Sequence, residues 1–146
     1  MEQNNNEKDI ISKLFVSNEN ITERLQSLVE LCHGLFNIVQ ETGEVFLEDA
    51  SFLNNNEKIL LYMTGTYFSW KSHLKKDNGM SISELANRLG VPITTISAPL
   101  KKLIEDHLIS KKSIGSYEIR FENYKILRDA LVEIKKKKDK KEAKIK

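Results

Sequence analysis

A mainly α-helical fold with one small β-hairpin is what this chain predicts, and three observations carry that expectation. Apolar residues recur at helical steps of three and four over most of the 146 residues. Asn54 and Ser81 each stand three residues before a glutamate, a pairing that starts a helix by reciprocal hydrogen bonding. Near the C-terminal third, Tyr117, Ile119 and Phe121 alternate with Glu118 and Arg120 after a glycine-containing turn, as in paired strands.

The length suits one compact domain with an extra helix or two, and 40% hydrophobic with 30% charged residues is the composition of an ordinary globule. No apolar run approaches membrane-spanning length, so no membrane partner is expected. The first residues, MEQNNNEKD, lack the basic and apolar regions of a secretory signal, and the single Cys32 leaves no intramolecular disulfide. A reducing cytoplasm is the expected compartment. The net charge of +2 hides a gradient: residues 1–54 carry ten acids and three bases, residues 55–134 nine and twelve, and residues 135–146 two and eight. A polyanion would meet the C-terminal two thirds of such a chain.

In order, residues 1–19 read as a flexible N-terminus with a short apolar turn at Ile10, Ile11, Leu14 and Phe15. From residue 20, Ile21, Leu25, Leu28, Cys32, Leu35 and Val39 alternate steps of four and three. That is the seam of a helix that packs on a partner helix, stopped by Gly43, and residues 20–54 are assigned to dimerisation or packing. GEVFLEDASFL reads as a short strand or extended link, after which Asn54 and Glu57 cap a long core helix. Ser81 and Glu84 cap a helix under three turns long that ends at Gly90. Ile93, Ile96, Leu100, Leu103, Ile104 and Leu108 form the buried stripe of a further helix over 92–108. Residues 109–121 form the hairpin, turning at Ser113 to Ser116, and Asn123 caps a last helix with Ile126, Leu127, Ala130, Leu131 and Ile134 on one face. The lysine-rich residues 135–146 read as a disordered tail beyond a domain spanning 55–134.

The segment ELANRLGVPITTISAPLKKLIEDHLI, with Ala86 at the helix crossing, Gly90 in the turn and Thr95-Ile96-Ser97 opening the second helix, resembles that of MarR-like and ArsR-like regulators and of small archaeal winged-helix proteins. The resemblance runs over about residues 55 to 122. It implies a winged helix-turn-helix with an additional N-terminal helix and a C-terminal helix, binding double-stranded DNA as a transcription regulator. The residues support this independently of the resemblance. With Ile96, Leu100 and Leu103 in the core, Thr94, Thr95, Ser97, Ala98, Lys101 and Lys102 lie outward, forming a slim, uncharged entry to the major groove with lysines behind it. Lys111, Lys112 and Arg120 place cations on the wing for backbone or minor-groove contacts. Ala98 and Pro99 stand where related helices often carry a long polar reader, which shifts the expected readout toward DNA shape. Pro99 should also kink or loosen the helix unless its first turn absorbs it.

His33, His73 and His107 are too scattered for a metal site, and no phosphate loop or nucleophile motif is present. Neither cofactor nor enzymatic activity is expected. The dimer expectation follows from the seam at Ile21, Leu25, Leu28, Cys32, Leu35 and Val39, since two copies would double the contacts of a weak reader. Two alternatives stay open. The front helix completes a monomeric core, or the winged helix binds another protein as an adaptor.

Overall fold

The computed structural model describes residues 2–14 and 18–145. The chain divides into two units, Met1–Glu30 and Leu31–Lys146.

The first unit holds α1 (Glu2–Ile11), a 3-10 turn (Ser12–Leu14) and most of α2 (Asn18–Cys32). Ile10, Ile11 and Leu14 are all exposed, so the apolar turn expected there buries none of them, and Phe15 lies outside the described residues. Along α2, Ile21 and Val29 are exposed, Leu25 is half-buried and Leu28 is fully buried. The expected helix through Val39 does not form, because α2 ends at Cys32 and Gly34 turns the chain at φ 88°. Phe36-Asn37-Ile38-Val39 is a β-branched and aromatic run, better suited to a strand than to a further helical turn. Leu35 and Val39 continued the apolar spacing because they are packing positions of a different element.

That element is a hairpin of the second unit, β1 (Phe36–Ile38) and β2 (Val45–Leu47), with Phe36 opposite Leu47 and Gly43 in the connection at φ 75°. It packs on α3 (Asn55–Lys71), where a Cβ on Gly65 would stand 2.6 Å from a Val45 methyl. Only glycine permits that approach. Ser69, fully buried on α3, donates to the Gly43 carbonyl at 2.7 Å and fastens the hairpin connection to the helix. The capping box expected at α3 is present, with Asn54 accepting from the Glu57 amide and Glu57 accepting from the Asn54 amide, both at 2.9 Å. Ten residues of α3, including Ile59, Leu61 and Met63, are buried on all sides of the helix, which makes it the central helix of this unit.

After α3 come β3 (Gly79–Ser81), α4 (Ile82–Leu89), a 3-10 turn (Ile93–Thr95), α5 (Ser97–Glu105), β4 (Ile109–Ser113) and β5 (Ser116–Ile119). The three strands form one antiparallel sheet in the order β3-β5-β4. A 3-10 turn (Phe121–Asn123) leads to α6 (Tyr124–Ile145), which buries Leu127, Leu131 and Ile134 while Ile126 stays exposed. Tyr67 of α3 stacks on Phe121 at 5.1 Å between ring centroids and so closes the C-terminal side of the sheet onto the core.

The expected disordered tail is helical instead, as α6 runs through residues 135–145 without a break. Its lysines find partners inside the second unit. Lys135 donates to the His33 carbonyl at 2.7 Å, and Lys138 donates to the Gly34 carbonyl. Those oxygens stand just past the end of α2, where cations complement the helix dipole. Lys137 pairs with Glu57 at 2.6 Å, and Lys141 pairs with Asp49 at 2.9 Å and reaches Ser51. The Lys141 hydrogen bond, with those from Ser51, holds the Asp49 carboxyl well below the usual carboxylate range. The basic end of the chain thus neutralises acids of the segment before and at the start of α3.

Candidate nucleic-acid interface

Helix α4 begins as its sequence requires: Ser81 Oγ accepts from the Glu84 amide at 3.1 Å, and Glu84 accepts from the Ser81 amide at 3.3 Å. Leu85 and Ala86 are buried, and α4 packs on α3, β3 and the 3-10 turn that follows it. Gly90 ends α4 in the left-handed conformation at φ 69°. The chain then makes a 3-10 turn before α5, so the single helix expected over 92–108 is a short turn followed by a nine-residue helix.

That division explains two departures from expectation. Ile96, Leu100, Leu103 and Leu108 are buried, but Ile93 is 54% exposed and Ile104 is 39% exposed. Ile93 lies in the 3-10 turn, outside the phase of the helix, and Ile104 sits about 100° round α5 from the buried Leu103. Pro99 does not kink the helix. It is the third residue of α5 and buried, in the first turn where an N–H has no intrahelical acceptor to lose, and Leu100 N still reaches the Ile96 carbonyl at 3.1 Å.

Thr94, Thr95, Ser97, Ala98, Lys101 and Lys102 are all exposed. They sit on the 3-10 turn and the first two turns of α5, with the threonines and Ser97 at its N-terminal end and the lysines behind. The wing brings Lys111 and Lys112 on β4 and Arg120 just after β5. β4 and β5 pair Lys111 with Tyr117 and Ser113 with Ser116, leaving Lys112 as the extra residue of a bulge. A bulge re-aims the side chain it carries. Lys112 is turned onto Asp77 at 2.5 Å and Asn78 at 2.6 Å, in the segment before β3. The hydrogen bond from Lys112, with that from the Gly79 amide, lowers the Asp77 carboxyl below its ordinary value.

The nine candidate positions therefore divide by their electrostatic state. Lys102 pairs with Asp106 at 3.1 Å and Arg120 with Glu122 at 3.0 Å, while among the described residues Lys101 and Lys111 make no ion pair. The strand β3, the Asp77-Asn78 latch on Lys112 and the exposed Ile93 and Ile114 are features that the sequence reading missed. Ile114 lies inside the turn from Ser113 to Ser116, and an apolar side chain at such a place is the signal in the sequence that marks it.

Beside the helix-turn-helix, an open cleft of about 580 Å³ separates the β1–β2 hairpin from α4, lined by Glu44, Phe46, Tyr62, Lys75, Glu84 and Arg88 among others. Arg88 spans it, pairing with Glu44 at 3.3 Å and standing 5.3 Å from the centre of the Phe46 ring. The hairpin is thereby tied to the helix that supports α5. Cys32 is buried, and burial pushes its thiol up to about 12 against the opposing pull of Lys135, so it stays protonated and unreactive at neutral pH. Among the described residues no group of His, Cys, Asp and Glu side chains is arranged to hold a metal ion. No helix among them is long and apolar enough to cross a membrane.

Comparison with protein families finds a match to winged helix-turn-helix DNA-binding domains over residues 72–110, which takes in β3, α4, the turn, α5 and the start of β4. No curated protein and no solved structure shows a significant likeness to the chain. Its order of a core helix, two crossed helices and a three-stranded antiparallel sheet closing on a hairpin agrees with that match. The chain is a winged helix-turn-helix in fold, mostly helical with a small antiparallel sheet and extra helices at both ends, and over its central segment it is similar to DNA-binding domains.

Proposed function

We propose that this protein is a transcription regulator of the cytoplasm, a binding protein and not an enzyme, that docks α5 in the major groove of double-stranded DNA and lays the β4–β5 wing on the adjacent backbone or minor groove. The observation that carries the reading is the outward face itself: Thr94, Thr95, Ser97 and Ala98 present small, uncharged side chains ahead of Lys101, with Lys111 on the neighbouring wing. A slim tip with cations behind it fits a groove whose floor is read by short contacts and whose walls are phosphates. Thr94, Thr95, Ser97 and Ala98 tune sequence preference, while Lys101 and Lys111 supply phosphate affinity, with Lys102, Lys112 and Arg120 held in reserve by their carboxylates. Fluorescence anisotropy with an unrelated duplex tests this. Binding at 50 mM salt should weaken by at least about tenfold at 200 mM, as release of counterions from a few phosphates requires.

The regulator is proposed to act as a homodimer through the face of α2 that carries Ile21, Leu25 and Val29 at steps of four. Leu28, Cys32 and Leu35, assigned to that seam from spacing, are buried, and Val39 is half-buried at the hairpin. The Ile21→Glu, Val29→Glu double variant should sediment as a folded monomer where the wild type is a dimer. A monomeric wild type at micromolar concentration removes this part of the proposal.

One observation favours the other reading, a winged-helix adaptor for another protein: Lys102, Lys112 and Arg120 all face carboxylates rather than solvent alone. Absence of DNA binding at low salt would select that reading.

A further inference from the structure

Two-residue connections between strands are normally built from glycine, asparagine, aspartate or serine, which are polar or conformationally free. The tip of this wing is Ile114-Gly115, between Ser113 and Ser116, with Gly115 at φ 74°. Ile114 is 98% exposed, more than any other large apolar side chain among the described residues. Its own φ is negative, so the turn asks nothing of a β-branched side chain at that position that a serine would not meet at least as well. The fold therefore gains nothing visible from isoleucine there. The side chain stands at the turn between β4 and β5, at one end of the three-stranded sheet, where β3 flanks β5 up to Ser116 and, among the described residues, Lys111 on β4 makes no ion pair.

The same face is poor in long hydrogen-bonding readers. α5 offers Thr94, Thr95, Ser97 and Ala98 to base edges, and no arginine or glutamine stands among them. Recognition by deformation needs neither. Proteins that work in the minor groove insert an apolar side chain between base steps, unstacking them and kinking the duplex, and the cost is lowest at flexible pyrimidine–purine steps. A fully exposed aliphatic side chain at the tip of a strand turn, flanked by serines small enough to enter a groove, has the chemistry of such a wedge.

We propose that Ile114 is a minor-groove wedge: when α5 occupies the major groove, the wing tip inserts Ile114 at a pyrimidine–purine step, kinks the DNA and confers a preference for sites that carry such a step at the wing's position. The inference rests on the DNA-binding reading above and adds to it a residue, a groove and a class of DNA step. Insertion exchanges an aliphatic surface held in water for contact with base faces, so the side chain contributes affinity only where the step opens easily.

The full-length chain is tested with two end-labelled duplexes of about 30 base pairs, one carrying TpA steps and one with the same flanks carrying stiff A-tracts, reading affinity by anisotropy and bending by energy transfer between the ends. The wild type should bend the TpA duplex and bind it about tenfold tighter than the A-tract duplex. Ile114→Ser should keep the fold, checked by its thermal melt, and should keep the salt dependence of binding and its affinity for the A-tract duplex within about twofold, because phosphate contacts are untouched. It should lose both the bend and the preference. Ile114→Met, which retains an apolar wedge, should keep both. Salt-dependent binding with no bend, or with a bend and preference that survive Ile114→Ser, overturns the wedge while leaving the DNA-binding reading intact. Absence of binding to either duplex at low salt overturns both.

Discussion

At the scale of single residues, the helix-turn-helix depends on one backbone conformation. Gly90 ends α4 at φ 69°, and a Cβ placed there meets nothing within 4 Å. A substitution at this position is therefore a clean measure of left-handed strain without steric clash. Gly90→Ala should lower folding stability by about 1 kcal/mol, read as a shift in the denaturant midpoint with an unchanged slope. A neutral effect would show that α4 can end in another way. Both capping boxes, at Asn54 and Ser81, and the stop at Gly90 were readable because each is a local exchange of hydrogen bonds between fixed positions. Pro99 and Ile93 were not, because their meaning depends on where α5 begins. A start at Ser97 puts the proline in the first turn and the isoleucine outside the helix, and no local signal marks that start, since Ile96 makes no side-chain cap.

At the scale of elements, the wing and the segment before β3 form a small electrostatic device. Lys112, displaced by the bulge in β4, is held by Asp77 and Asn78, whereas Lys111 is not held. The two adjacent lysines, equivalent in the sequence, should therefore act unequally. Lys111→Ala should flatten the slope of log affinity against log salt by about one unit, while Lys112→Ala should change it little. Asp77→Asn keeps an acceptor for the Gly79 amide but removes the charge, so it should free Lys112 and steepen the slope by up to about one unit. Because the Asp77 carboxyl is lowered from its ordinary 3.8, the pair is intact above that value and is lost as pH falls below it through the lowered pKa, with its contribution to stability lost in the same window. Equal effects of the two alanine variants would contradict the assignment. The wing hairpin itself was visible as an alternating pattern. Its partner β3 was not, since Gly79-Met80-Ser81 has no strand signature of its own and is a strand only because β5 lies beside it.

At the scale of the whole molecule, the sequence showed charge as a gradient, and the second unit partly closes it. Lysines 135, 137, 138 and 141 on α6 reach the His33 carbonyl, Glu57, the Gly34 carbonyl and Asp49. Composition alone made that stretch a tail, because eight lysines offer no apolar face. The fold instead extends a helix already anchored by Leu127, Leu131 and Ile134 and gives its lysines distant acceptors. Likewise, the apolar spacing through Val39 resembles that of one helix because Leu35 and Val39, on either side of β1, are buried and half-buried at the hairpin. Truncation after Ile134 should therefore lower the melting temperature by several degrees, on the order of 5 °C, with a smaller loss in 1 M salt, where exposed pairs are screened. An unchanged melt would return those residues to the role of a tail. The face proposed to meet DNA is formed by α5 and the wing tip together, and mapping amide chemical shifts of the labelled full-length protein on adding a short duplex at low salt locates that face. The shifts should concentrate at residues 93–102 and 111–116, whereas shifts confined to α2 or to the lysines of α6 would rule out this face.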